Sequence, residues 1–97
     1  MNDQDGKEAS FDSYLADKLK DPRLARMWEE EQAEIKVSIA IMEAREKEGL
    51  TQKDLAKATG MKQNAISRIE RGDTNPTVGT LQRIADGLNK ELVIGFK

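Results

Sequence analysis

The chain has 97 residues, which is enough for one small domain with an appendage but not for two domains with separate cores. It contains neither histidine nor cysteine, which excludes disulfides, the usual zinc sites and histidine-based catalysis, so we expect no enzyme, no metal and no cofactor. The net charge of −2 is unevenly divided, with 13 acidic and 8 basic residues in 1–50 but 5 acidic and 8 basic residues in 51–97, which suggests two different partners.

The N-terminal part is polar at first and then helical. Residues 1–9 show no periodicity and are predicted to be a disordered lead. Ser10 can cap a helix that runs to about Lys20, and Asp21 and Pro22 then suit the N-cap and first position of a second helix. No run reaches the roughly 18 apolar residues of a membrane span, and no signal peptide is recognisable, so we expect a cytoplasmic protein with no membrane contact.

A long second helix is predicted from Pro22 to about Lys47, because this stretch lacks glycine and proline and carries an apolar stripe at helical spacing. As one helix it would be about 39 Å long. A break near Glu31–Glu34 is the alternative. Gly49 ends the helix in the expected manner.

Three shorter helices and a strand are predicted after Gly49. The helices are Thr51–Thr59, Gln63–Arg71 and Val78–Leu88. The tail alternates Leu92, Ile94 and Phe96 on one face and is predicted to be a short strand. A lone strand is unstable, so this one must pair with something.

Residues 51–72 meet the physical requirements of a helix-turn-helix, with small Ala56 at the helix crossing and Gly60 in the turn. The outward face of the second helix carries Gln63, Asn64, Ser67 and Arg68. Amide side chains can bond adenine and arginine can bond guanine in the major groove, so this face is a candidate base-reading surface. A merely solvated helix surface is the alternative. Lys62, where the helix begins, suits a DNA phosphate.

These residues resemble the xenobiotic-response-element (XRE) family of helix-turn-helix proteins, which includes the Cro and C-type phage repressors. The resemblance covers about residues 45–88. The positions that carry it are Arg45, Gly49-Leu50-Thr51-Gln52, Leu55-Ala56, Gly60, Ile66-Ser67, Ile69-Glu70-Arg71-Gly72, Pro76, Thr80-Leu81, Ile84-Ala85 and Leu88.

The resemblance implies further roles for individual residues. Gln52 is expected to contact a phosphate, and Asn75 and Thr77 are expected to touch the DNA backbone. Glu70 is expected to be structural and to pair with Arg45. For this pair, a surface ion pair worth little is the alternative.

Both ends of the chain depart from a repressor domain of this family, which usually has a fifth helix after Leu88. A short domain with an acidic helical extension resembles the HigA-type antitoxins, which bind a basic ribonuclease toxin of the RelE type and repress their own operon. Carboxylates beside an aromatic anchor would suit a cationic toxin. The candidate toxin contacts are Leu24, Met27, Trp28, Glu30, Glu31 and Glu34. For Trp28, a place in the intramolecular core is the alternative.

We therefore expect an all-α fold, an XRE-type helix-turn-helix bundle with an N-terminal helical extension and a short C-terminal β-strand. The expected organisation is a disordered lead (1–9), an acidic extension for partner binding or dimerisation (10–35) and a DNA-binding domain with the strand (36–97). The leading hypothesis is a homodimeric antitoxin and autorepressor that reads a palindromic operator in double-stranded DNA, with half-sites about 34 Å apart. A plain repressor without a toxin and a protein-interaction adaptor of the same fold are the alternatives.

Overall fold

The computed structural model describes residues 12–97. These residues form five helices, and the chain divides into two compact units, Met1–Ala33 and Glu34–Lys97. The predicted disordered lead at residues 1–9 and the predicted cap at Ser10 lie outside the described part. No helix within residues 12–97 combines the length and the apolar character that crossing a bilayer requires.

The first unit contains helix α1, described over residues 12–18, and the beginning of helix α2, Pro22–Lys47. The predicted N-cap is confirmed, because Asp21 Oδ1 accepts a hydrogen bond from the Arg23 N–H at 2.9 Å. The predicted bounds of α2 are also confirmed. The helix is continuous through residues 31–34, so the alternative with a break there is wrong.

The second unit contains the end of α2 followed by helices α3, Gln52–Thr59, α4, Gln63–Glu70, and α5, Val78–Gly87. Thr51 and Asp54 form a capping box at the start of α3. Thr51 Oγ1 accepts the Asp54 N–H at 3.0 Å, and Asp54 Oδ2 accepts the Thr51 N–H at 2.9 Å. Gly60 ends α3 at φ +73°, a conformation that glycine adopts without strain.

The core of the second unit lies where α2, α3, α4 and α5 meet. Leu55 of α3 and Ile66 of α4 are fully buried at its centre. The other large buried apolar side chains are Ile41, Ile69, Ile84 and Leu88. This core holds α4 by its inner face alone, which leaves the outer face of that helix open to solvent.

The predicted C-terminal strand is wrong. Helix α5 ends at Gly87, and residues 90–97 have no regular secondary structure, so the fold within residues 12–97 is entirely helical. Alternating apolar residues form a strand only where a second segment supplies hydrogen-bond partners, and no segment of the described chain does so. Phe96 in this segment is 99% exposed.

Candidate nucleic-acid interface

Helix α4 presents two chemically different faces. Ile66 and Ile69 are buried in the core, as the helix-turn-helix pattern predicts. Three of the four candidate base-reading residues, Gln63, Asn64 and Arg68, are exposed, whereas Ser67 is half-buried. The structure thus brings these four residues together on one eight-residue helix, with long polar side chains pointing away from the core.

The surface formed by residues 51–72 is strongly basic. This segment contains five basic residues and only two acidic ones, Asp54 and Glu70. Asp54 is engaged in the capping box, where hydrogen bonds from the Thr51 backbone and side chain lower its pKa. The Glu70 side chain is buried beneath Arg45. Lys53, Lys57, Lys62 and Arg68 are exposed, so the outward potential is positive.

A hydrogen-bonded cluster formed by Arg45, Gln52 and Glu70 joins three helices beneath this surface. Arg45 Nε donates to Glu70 Oε2 at 2.7 Å, and Nη2 donates to Oε1 at 3.0 Å. Arg45 Nη1 also donates to the Leu50 carbonyl at 2.7 Å. The bond to Glu70 raises the pKa of Arg45 further. The predicted pairing is confirmed, and the surface-pair alternative is wrong because the two side chains are only 12% and 3% exposed.

Gln52 completes the cluster, since its Nε2 donates to Glu70 Oε1 at 3.1 Å. An amide nitrogen carries two hydrogens, so this bond leaves one donor for a phosphate. The sequence indicated roles for Gln52 and Glu70 separately but not the bond between them. The helix-turn-helix pattern was the only signal in the sequence for this bond, because the crossing of α3 and α4 brings the first residue of α3 close to the last residue of α4.

The remaining candidate phosphate contacts lie at helix ends and in the loop after α4. Lys62 is the exposed N-cap residue of α4 but makes no side-chain cap. Asn75 and Thr77 are exposed before α5, and the Thr77 hydroxyl accepts from the Thr80 N–H at 3.1 Å. Thr77 is thus already the cap of α5, whereas the first N–H groups of α4 have no side-chain acceptor within residues 12–97.

The first unit has a different surface. Leu24, Met27, Trp28 and Glu31 line an open groove of about 460 Å³ together with residues of α1. Met27 is 62% exposed and Trp28 is 40% exposed, so Trp28 is not enclosed in a core. Glu30 and Glu31 are exposed. The sixth candidate toxin contact, Glu34, is half-buried and belongs to the second unit.

Comparison with known proteins identifies relatives of the second unit. The sequence model of the helix-turn-helix family matches residues 41–94. An HTH-type transcriptional regulator of Haemophilus influenzae is 39% identical over 70 residues, which cover 68% of this chain and 71% of the relative. The HTH-type transcriptional regulator SutR of Escherichia coli is 40% identical over 53 residues, covering 55% of this chain but only 30% of SutR.

Solved structures show the same similarity. The wild-type restriction-modification controller protein C.Esp1396I superposes with a TM-score of 0.59 at 38% identity, covering 60% of this chain and 74% of that protein. The same controller, as a tetramer in complex with its natural 35 base-pair operator, also gives a TM-score of 0.59 at 38% identity and covers 60% of this chain and 76% of that one.

Proposed function

Because this chain belongs to the helix-turn-helix family and is a sequence-specific DNA-binding transcriptional regulator of the XRE type, we propose that it represses its own operon as a homodimer on a palindromic operator. The observation that carries this proposal is the exposed polar face of α4 on a surface whose acidic groups are engaged or buried. The operator complex of C.Esp1396I supports an oligomeric form on DNA.

Base reading belongs to α4 in this proposal. The helix lies in the major groove, where Gln63 and Asn64 bond adenine edges and Arg68 forks onto guanine. Ser67, half-buried between them, makes a shorter-range contact. Two such helices, one from each copy, read half-sites about 34 Å apart.

Phosphate contacts position the helix. Lys62 and the uncapped N–H groups at the start of α4 attract a phosphate oxygen, since the positive end of the helix dipole points there. Gln52 offers its second amide hydrogen to a neighbouring phosphate. Asn75 and Thr77 contact the backbone from the loop before α5. Binding of DNA should therefore weaken steeply as salt is raised.

The test compares Arg68→Ala with Arg83→Ala in binding to the promoter DNA of the gene at fixed salt. Arg83 is an exposed arginine of α5 that the proposal does not place on DNA. Arg68→Ala should lose about 1–3 kcal/mol of affinity and relax the preference at one base pair in each half-site. Arg83→Ala should keep both. Unchanged affinity and preference in Arg68→Ala would remove this residue from base reading.

A second candidate function is that of an antitoxin which binds a basic ribonuclease toxin of the RelE type. The first unit supports it, because exposed Met27 and Trp28 adjoin the carboxylates of residues 29–31. Within residues 12–97 these three carboxylates form no ion pair, so they are available to a cationic protein. The names of the similar proteins, two transcriptional regulators and a restriction-modification controller, favour a plain transcriptional regulator over an antitoxin.

Purification of the tagged protein from its native cell separates the two candidates. A small basic protein, encoded beside the gene and present in equal amount, would support the antitoxin, and Trp28→Ala should then lose it while Arg68→Ala retains it. A dimer without such a protein that still shifts its own promoter DNA would support the plain repressor.

A further inference from the structure

The first three turns of α2 carry an exposed stripe of mixed charge. Arg23, Met27 and Glu30 are spaced i, i+4 and i+7, so they lie on one side of the helix. All three side chains are exposed, with Arg23 88% exposed and Met27 62% exposed. We call these three residues the Met27 stripe. It presents a cation, an apolar side chain and an anion in that order along the helix.

The charges at the two ends of this stripe have little engagement inside the chain. Within residues 12–97, Glu30 and its neighbour Glu31 form no ion pair. In the same range Arg23 pairs with Asp21 at 3.7 Å, and the Asp21 carboxylate already caps α2. An exposed ion pair of this kind contributes little to stability. Both ends of the stripe are therefore available to an intermolecular partner.

We propose that the first units of two copies associate through the Met27 stripe, with the two α2 helices antiparallel about a two-fold axis beside Met27. This inference rests on the proposed homodimer and names its interface. The stripe is complementary to itself when reversed. Arg23 of one copy then lies opposite Glu30 of the other, and the two Met27 side chains meet between these pairs. A parallel arrangement would instead place like charges side by side.

The spacing of the stripe fits the packing of two helices. Arg23 and Glu30 are separated by about 10.5 Å along the helix axis, so the two ion pairs of the dimer lie about 5 Å on either side of the two-fold axis. Packed helices lie about 8–10 Å apart, a distance that the long side chains of arginine and glutamate bridge. Leu24, which is 38% exposed and adjoins Met27, adds apolar area to the contact. Burial of these apolar side chains supplies the attraction, and the ion pairs set the antiparallel orientation.

The alternation of sign favours a second copy over a uniformly basic partner. A basic protein would neutralise Glu30 but would bring its own positive charge against Arg23, and like charges facing each other across an interface are costly. A reversed copy of the same stripe satisfies the cation and the anion together.

Charge reversal tests the interface by analytical ultracentrifugation at equal concentrations, with far-UV circular dichroism to verify folding. Glu30→Arg should raise the dimer dissociation constant by about tenfold or more, because two attractive pairs become repulsive. Glu29→Arg is the matched control and should stay dimeric, since it makes the same charge change on an exposed neighbour that lies on the far side of α2 from Met27. The double variant Arg23→Glu/Glu30→Arg should recover most of the loss, because the pairs re-form with exchanged signs. Equal effects of Glu30→Arg and Glu29→Arg, or no recovery in the double variant, overturn the interface.

Cysteine crosslinking tests the position of the two-fold axis, because the chain has no cysteine. Met27→Cys should form an intermolecular disulfide under mild oxidation, since a residue beside a two-fold axis lies next to its own copy. Glu29→Cys should not, because its side chain lies on the far side of the helix. A disulfide at both positions, or at neither, overturns the arrangement. A monomeric wild type would overturn the proposed homodimer itself, whereas a dimer that Glu30→Arg leaves intact would overturn only this interface, so the two failures are distinguishable.

Discussion

Removing the guanidinium of Arg45 should strongly destabilise the second unit. The Glu70 side chain is 3% exposed in the folded protein, and in Arg45→Met its carboxylate keeps only the side-chain hydrogen bond from Gln52. Breaking a buried pair in this way costs about 3–5 kcal/mol, and the Leu50 carbonyl also loses its donor. At an m-value of about 1.5–2 kcal/mol/M, the urea midpoint should fall by about 2 M.

The control is Arg71→Met. Arg71 pairs with Asp73 at 3.0 Å, but the two side chains are 59% and 54% exposed, so this loss should stay below about 1 kcal/mol. Urea unfolding is followed by circular dichroism at one protomer concentration, since association shifts the apparent stability. The double variant Arg45→Met/Glu70→Met should recover most of the loss, because no unpaired charge then remains buried. Equal losses in Arg45→Met and Arg71→Met would refute the reasoning.

Three other substitutions test the packing and capping of the helices. Gly87→Ala should destabilise the protein by about 1–2 kcal/mol in thermal unfolding, because the new Cβ would lie 2.7 Å from the Thr59 methyl group. This loss should exceed the gain from the higher helix propensity of alanine, and a stabilised variant would contradict the prediction. Leu55→Ala should cost about 2–5 kcal/mol in urea, and a cost below about 1 would mean that the core collapses around the gap. Asp54→Ala should be less stable than the wild type at neutral pH. The folded pKa of Asp54 lies below the ordinary 3.8, so its carboxylate stabilises the fold fully above that pH and ceases to do so as the pH falls through the folded value. The unfolding curves of the two proteins should therefore converge in acid. A difference in stability that persists in acid would assign the effect to something other than the carboxylate.

Local signals in the sequence were sufficient for the helices. Asp21 acts through a side-chain cap two residues away, and Pro22 and Gly49 act through their own backbone preferences, so the bounds of α2 could be predicted from neighbouring residues alone. The outer face of α4 was equally accessible, because helical spacing assigns Gln63 and Arg68 to the side opposite the buried isoleucines.

Features that depend on long-range contacts could not be predicted from the sequence. The burial of Glu70 depends on Arg45, which lies 25 residues earlier, and on α3 crossing above it, so spacing alone left a surface pair open. The strand prediction failed for the same reason, since pairing requires a second segment that residues 12–97 do not provide. An open apolar groove between α2 and α5, which Ala44 and Leu81 help to line, could not be predicted from the sequence pattern. It forms because the side chains of the two helices do not fill the space between them.

The division of α4 into a buried and an exposed face has an evolutionary consequence. Ile66 has no exposed surface, whereas Gln63, Asn64 and Arg68 lie outside the core, so changes at these three positions should alter stability by no more than about 0.5 kcal/mol. After a gene duplication, one copy can therefore acquire a new operator through successive viable intermediates. Regulators that bind different operators can diverge in this way from a single fold, and each intermediate remains folded.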